Sequence, residues 1–373
     1  MRIAVIAPPW LPVPPDGYGG TELVLDTLCR GLAAAGHDVL LYASGDSTCP
    51  VERAWTFPEH LGTVAVSPAG ELRHVMDGYD TALAWGAEVI HDHTITGPVW
   101  AGLHGCCPVV TTNHGPFSGD LAAVYRRIGP HLPIIAISHH QASSAGEIPI
   151  YAVIHHGVDL AGVDSGAGSG GYAAFLGRMS PEKGVDRAVR IARRAGVPLR
   201  IAAKMREPAE RAYFDAAVRP LLGGDIEYLG ELGGDDKHRL LADAICLLNP
   251  IAWPEPFGMV MIEALARGTP VVATPSGAAP EIIDDGVSGL LRRDDDHLAR
   301  AVLAAARLDR SACRSAAQTR FSMERMANAH TSVYAAQAAT TQAHDAELAS
   351  VLTDDAPTDR AELVNVSPTD AAL

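Results

Sequence analysis

Two carboxylates, two cations and a histidine set the chemistry that this sequence can support. Glu255 and Glu263 stand eight positions apart in Trp-Pro-Glu-Pro-Phe-Gly-Met-Val-Met-Ile-Glu, residues 253–263. Carboxylates a few ångströms apart would suit a glycosidase or an aspartic protease. Two that are separated by about 12 Å along a helix axis, at ~1.5 Å per residue, suit hydroxyls at opposite ends of one extended ligand such as a nucleotide-sugar. Arg178 and Lys183 lie five positions apart in Gly-Arg-Met-Ser-Pro-Glu-Lys-Gly. A strand that ends in Gly and Arg, followed by Ser-Pro-Glu opening a helix, aims a guanidinium, an ammonium and a helix N-terminus at one point, which fits a diphosphate leaving group. His114 follows an apolar strand, 108–113, and so sits at the carboxyl edge where open α/β sheets bind ligands.

The elements around these residues alternate. Residues 2–7 read as a buried parallel strand, followed by a Pro- and Gly-rich loop. A helix begins at Thr21 and stops at Gly36, and 37–43 returns to strand. That loop lacks the immediate Gly-x-Gly-x-x-Gly of a dinucleotide fold, which weakens a dehydrogenase reading. Strands follow at 88–92, 108–113, 132–138 and 150–155. Residues 160–171, rich in Gly, Ser, Ala and Asp, read as a flexible linker. A second series has strands at 172–176, 199–203, 226–229 and 245–248 and helices at 208–222 and 237–242. Glu255 falls in a Pro-bounded loop, and helical spacing runs from 257 to 266 until Gly268. The helix is therefore expected to start just after Glu255, with the free N–H groups of Phe257, Gly258 and Met259 open to phosphate. The fold class is α/β, with an N-terminal domain over 1–165 and a second over 170–322. A helix over 323–339 is expected to pack back on the first domain, and an acidic tail over 340–373 to be mostly disordered.

Composition narrows the partners. The 373 residues are 47% hydrophobic with a formal net charge of −15, which argues against a general affinity for nucleic acid or anionic lipid. At most weak peripheral membrane contact is expected, since Arg126 and Arg127 are too few for a docking patch. With no signal peptide or spanning segment read from the sequence, the expected location is cytoplasmic. Six cysteines form no Cys-x-x-Cys pair and read as reduced thiols. Three histidine-rich spots, His91–His93, His139–His140 and His155–His156, lack the spacing and carboxylate of a recognised zinc motif, so no metal is assigned.

Glu-Pro-Phe-Gly-Met-Val-Met-Ile-Glu followed by Ala-x-Ala-x-Gly-Thr-Pro-Val-Val-Ala resembles the E-x7-E signature of the family-4 retaining glycosyltransferases. Supporting resemblances are Gly-Gly-Thr-Glu at 19–22, Thr-x-His-Gly at 112–115 and Arg-x4-Lys at 178–183. The resemblance spans roughly 1–338 and implies the GT-B fold: two Rossmann-like parallel-sheet domains facing across a cleft. It implies that Glu263 holds the ribose hydroxyls, Glu255 a hydroxyl of the donor sugar, and the Phe257, Gly258 and Met259 amides the sugar and diphosphate. Arg178 and Lys183 would neutralise the departing diphosphate without a metal, and His114 would contact the transferring sugar. Gly19 and Gly20 would face the diphosphate or the acceptor. Glu231 and Leu232, at a strand end, would present backbone to the base. Two places depart from the family: His156-Gly157-Val158-Asp159 has His where the family has Asn, and Lys204-Met205-Arg206 replaces a Gly-x-Gly turn. The activity so implied is retaining transfer of a sugar from a nucleoside diphosphate sugar, with UDP favoured, to an acceptor hydroxyl. Rivals are a nucleotide-sugar-binding protein without transferase activity and a nucleotide-sugar epimerase. The loops around Pro8 to Tyr18 and Pro116 to Arg127 that would select the acceptor follow no decodable pattern, and oligomeric state is not legible.

Overall fold

The computed structural model describes residues 1–62, 67–101 and 107–354, with side chains through 341. Two parallel sheets organise it. The first contains β1 (Arg2–Ile6), β2 (Asp38–Tyr42), β3 (Glu52–Ala54), β4 (Val89–Asp92), β5 (Val109–Thr112), β6 (Ile134–Ala136) and β7 (Ile150–Val153). The second contains β8 (Ala173–Arg178), β9 (Leu199–Lys204), β10 (Ile226–Gly230), β11 (Cys246–Asn249), β12 (Val271–Ala273) and β13 (Gly289–Leu291). Their orders are β3-β2-β1-β4-β5-β6-β7 and β10-β9-β8-β11-β12-β13. In each, the chain starts at the centre, runs to one edge and returns past the first strand, the doubly wound order that leaves a ligand crevice at the carboxyl ends. The central strands are almost wholly buried because helices cover both faces, as a parallel sheet requires, whereas the edge strands β3, β7 and β10 keep partial exposure.

Packing joins the far end of the chain to its beginning. The helix Met323–Asp354 lies against the helix Gly20–Ala34, with Met326, Ala327, Val333 and Tyr334 in the same core as Val24, Leu28 and Leu32. Gly31 permits the approach, since a side chain there would stand 2.9 Å from Met323. Tyr334 is fully buried, which stabilises the docking by about 1.5–3 kcal/mol. Continuing to Asp354, the helix enters the stretch expected to be a tail; 340–354 contains no Gly or Pro to stop it, and 355–373 lies outside the described residues.

Three further expectations need correction. The 160–171 segment is tied down: the amides of Gly166, Gly168 and Gly170 donate to the carbonyls of Arg267, Ala242 and Asp243. Its small residues serve close approach, because a Cβ at Gly166 would overlap the backbone of Ala242. The expected helix over 208–222 breaks into Pro208–Tyr213, a wider turn Phe214–Val218 and a tight turn Arg219–Leu221, with Pro220 unable to continue the ladder. The segment after Arg178 forms only a tight turn, Pro181–Lys183, and the helix proper is Val185–Ala195 after Gly184 at φ +73°. Cys29, Cys49, Cys246 and Cys313 are buried free thiols and Cys107 is also buried; Cys106 lies outside the described residues. Among the described residues no helix is long and apolar enough to cross a membrane.

Candidate active site

The carboxyl ends of the two sheets face each other across a cleft. From the first domain it receives Gly19, Gly20, His114 and His156; from the second, Lys183, Glu231, Leu232, Lys237, Glu255, Phe257, Gly258, Met259 and Glu263. Residues from distant parts of the sequence therefore meet at one place.

Each Glu of the 255/263 pair holds a lysine. Lys183 Nζ donates to Glu255 Oε1, and these side chains are 10% and 15% exposed. Lys237 Nζ donates to Glu263 Oε1 at 2.5 Å, at 13% and 11% exposure. Two such charge-assisted contacts in a half-dry cleft offset the desolvation of four ions. The second oxygen of Glu255, Oε2, is buried without a partner among the described residues. A carboxylate oxygen in that position is an acceptor in want of a hydroxyl. Lys237, on the helix Gly234–Asp243, escapes sequence reasoning because that helix reads as an ordinary amphipathic one.

The helix that carries Glu263 begins later than expected. It is Met259–Ala266, capped by Gly258 at φ +108°, a left-handed conformation that disfavours any side chain. Phe257 and Gly258 thus belong to the loop, and the free amides of the first turn start at Met259. Glu255 is off the helix, so a separation along one helix axis does not describe the pair. Phe257 turns inward, with its ring 4.9 Å from that of His156 and 5.8 Å from that of His155. His156, where the resemblance implied Asn, thereby lines the cleft.

Arg178 is placed differently from Lys183. It does not line the cleft; its Nη2 donates to Glu182 at 2.6 Å, while its Nε is buried with no partner among the described residues. Glu231 uses its side chain rather than its backbone: Oε1 accepts from the Tyr18 amide at 2.8 Å, and Arg206 donates to both oxygens at 3.0 and 2.5 Å. This clamp ties the Pro- and Gly-rich loop of the first domain to the second. Lys204, also at the cleft, is held by Glu207 and by Glu210 at 3.0 Å.

A second bridge between the domains surrounds Glu281. Its carboxylate accepts from the amides of His139 at 2.8 Å and His140 at 2.6 Å, and from His155 Nε2 at 2.8 Å. Burial opposes its ionisation, but these three donors, His155 foremost, together outweigh that and hold its pKa below the usual carboxylate range. Ligand atoms of His139, His155 and Glu281 lie within 4.8 Å of one another, yet the carboxylate is already satisfied as a helix cap. Nearby, Ser138 Oγ donates to the Pro256 carbonyl at 2.5 Å, so the loop between Glu255 and Phe257 rests on the first domain.

Behind His114 lies a buried cluster of imidazoles. His91, His93, His156 and His330 pack around it, and burial pushes every one of these rings toward the neutral form; His114 and His330 fall to about 4. At neutral pH His114 therefore meets the cleft as an uncharged imidazole.

The sequence matches two family models, described as "Glycosyltransferase Family 4" over residues 18–161 and "Glycosyl transferases group 1" over 171–307. Phosphatidyl-myo-inositol mannosyltransferase of Mycobacterium leprae is 28% identical over 355 residues, 83% of this chain and 88% of that protein. An uncharacterized glycosyltransferase of Methanocaldococcus jannaschii is 34% identical over 122 residues, which span only 31% of this chain and 30% of the relative. Among solved structures, AviGT4, a glycosyltransferase involved in avilamycin A biosynthesis, superposes with a TM-score of 0.67 at 28% identity, covering 91% of this chain and 98% of that one. Anabaena Alr3699/HepE, solved with UDP and glucose, superposes with a TM-score of 0.72 at 18% identity, covering 90% of this chain and 100% of that one. Taken with the paired parallel sheets, these two domain matches, which between them cover most of the sequence, support a glycosyltransferase of the family-4, group 1 type, and the fold is GT-B.

Proposed function

We propose that the protein is a retaining glycosyltransferase that moves a sugar from a nucleoside diphosphate sugar to an acceptor hydroxyl. The observation that carries this reading is the unpartnered, buried Oε2 of Glu255 beside Lys183 in the cleft. It offers an acceptor for a sugar hydroxyl next to a cation for the adjoining phosphate. Glu263 takes the ribose hydroxyls at the other end, and Lys237 is released from it as the nucleotide enters. Arg178, whose Nε lacks a partner among the described residues, turns toward the diphosphate when the donor is present. UDP is the favoured carrier, in keeping with the UDP bound by the Anabaena relative.

The step needs no external oxidant or base. The bond from the anomeric carbon to the β-phosphate oxygen breaks as the acceptor oxygen bonds to the same face of that carbon. The acceptor proton passes to the departing phosphate oxygen. Lys183, Arg178 and Lys237 carry the positive charge that the diphosphate calls for, which makes metal independence part of the proposal. His114 lies against the sugar as positive charge spreads over its ring. Closure through the Glu231 and Glu281 bridges keeps water out.

The test is turnover of UDP-glucose with inositol-based acceptors, prompted by the mannosyltransferase relative, in the presence of EDTA. Proton NMR then reads the anomeric configuration of the product. A product with the donor's configuration supports the reading; an inverted product contradicts it, and binding without turnover by any acceptor favours a sugar-nucleotide-binding protein instead.

A further inference from the structure

His114 does not face the cleft alone; another histidine decides which of its nitrogens carries the proton. His93 follows β4 directly and His114 lies just past β5, and the two strands are hydrogen-bonded neighbours. Their rings meet with His93 Nδ1 2.9 Å from His114 Nε2, so one nitrogen donates and the other accepts. His93 is fixed from behind: its ring is 3.9 Å from that of His91, which is itself held by Tyr334 Oη at 2.7 Å and Thr112 Oγ1 at 2.8 Å.

The direction of the bond follows from the other nitrogen of His93. That atom, Nε2, is buried with no partner among the described residues. If His93 Nδ1 accepted, the single proton of the neutral ring would sit on Nε2 as an orphaned buried donor. Orphaned N–H groups are rarer in folded proteins than unfilled acceptors, and a bare lone pair is the milder loss. Doubly protonated His93 is ruled out by burial among His91, His114, His156 and His330, which pushes it well toward neutrality. His93 Nδ1–H therefore donates to His114 Nε2. Neutral His114 then carries its own proton on Nδ1, the nitrogen without a protein partner among the described residues, on a ring that lines the cleft.

We propose that His93 is a positioning residue that fixes His114 in its Nδ1–H tautomer, so that His114 offers the donor sugar a hydrogen-bond donor rather than an acceptor. The proposal rests on the reading that His114 faces the transferred sugar. Among the described residues no other group hydrogen-bonds a ring nitrogen of His114.

The measurement is long-range proton–nitrogen NMR of the full chain labelled in its imidazole nitrogens, with the His114 signals identified by their loss in His114→Gln. The expected wild-type result is a protonated Nδ1 and an unprotonated Nε2 on His114. His93→Asp puts an acceptor where Nδ1–H stood and moves the His114 proton to Nε2; His93→Asn keeps an N–H there and leaves the tautomer unchanged. Release of UDP from UDP-glucose, or of GDP from GDP-mannose, is expected to fall on the order of 100-fold in His93→Asp and only a few-fold in His93→Asn, with nucleotide affinity unchanged in both. A protonated Nε2 on wild-type His114 overturns the proposal, as does equal loss of turnover in the Asp and Asn variants with the tautomer unmoved. Should neither nucleotide-sugar be turned over, the functional reading fails while the wild-type tautomer still decides this one.

Discussion

Gly277 lies directly on the backbone of Glu255. A methyl group at Gly277 would overlap the carbonyl oxygen and amide nitrogen of Glu255, and the next amide, Ala278 N–H, donates to that same carbonyl at 3.0 Å. Gly277 also has φ +60°, so its place suits no other residue. The turn after β12 thus sets the position of the Glu255 loop. Gly277→Ala is expected to destabilise the fold by about 1–3 kcal/mol, through strain and steric displacement together. It should also weaken binding of a nucleotide-sugar more than that of the nucleotide, as calorimetry on both ligands would show. Unchanged stability and unchanged discrimination would mean that the loop is positioned otherwise.

Glu255→Gln separates sugar from nucleotide recognition. The amide keeps the shape but removes the charge that Lys183 and a sugar hydroxyl share. Affinity for UDP is expected to change by less than about threefold, while turnover of the nucleotide-sugar falls by about 10²-fold or more. Equal losses in both would place Glu255 at the nucleotide instead.

Lys183→Met leaves Glu255 in the cleft without its cation. The expected cost in stability is on the order of 3 kcal/mol, at the low end for a broken buried pair because both groups keep some exposure. Lys183→Met combined with Glu255→Gln should recover most of that loss in a denaturant titration. Additive losses would show that the two side chains are not coupled.

Acid should unfold the protein early. His74, His91, His93, His114, His156 and His330 all have acidities shifted so that they stay neutral when folded, three of them to about 4. Below the ordinary histidine value near 6.5 the unfolded chain takes up protons that the folded chain refuses, so stability is lost as pH falls from about 6.5 toward 4. Glu22 and Asp92, which burial pushes up to about 7 and about 6, act in the opposite sense over part of that window. Asp26 is raised as well, and His37 and His238 are lowered; the histidines outnumber the raised carboxyls, and the melting temperature is expected to drop steadily between pH 6.5 and 4.5. A flat profile there would mean that the cluster is hydrated or already charged.

How much of this was legible in the sequence varies by kind of feature. Parallel strands are short apolar runs between turn signals, and most of them lie within a residue or two of their expected places, because burial on both faces leaves one reading. Glu255, Glu263, Lys183 and His114 all line the cleft: His114, Lys183 and Glu255 lie in the segments just after β5, β8 and β11, and Glu263 is on the helix that the last of these loops leads into. The late start of the helix at Met259 was not legible, because Gly258 could equally have been helical until its left-handed backbone was known. Lys237, the Glu231 clamp and the His93 contact depend on pairings 26, 213 and 21 residues apart, which no local spacing encodes. The pinned linker was misread for the same reason: small residues that suit flexibility also suit close packing.

The most direct test of the central claim is calorimetric titration of the wild type and Glu263→Ala with UDP, GDP, ADP and TDP in EDTA. The account predicts that one nucleotide binds without metal and that the substitution weakens it by about 10–100-fold, the worth of a hydrogen bond to a charged group. Binding of none of the four, binding that requires a divalent ion, or equal affinity in the two proteins would contradict it.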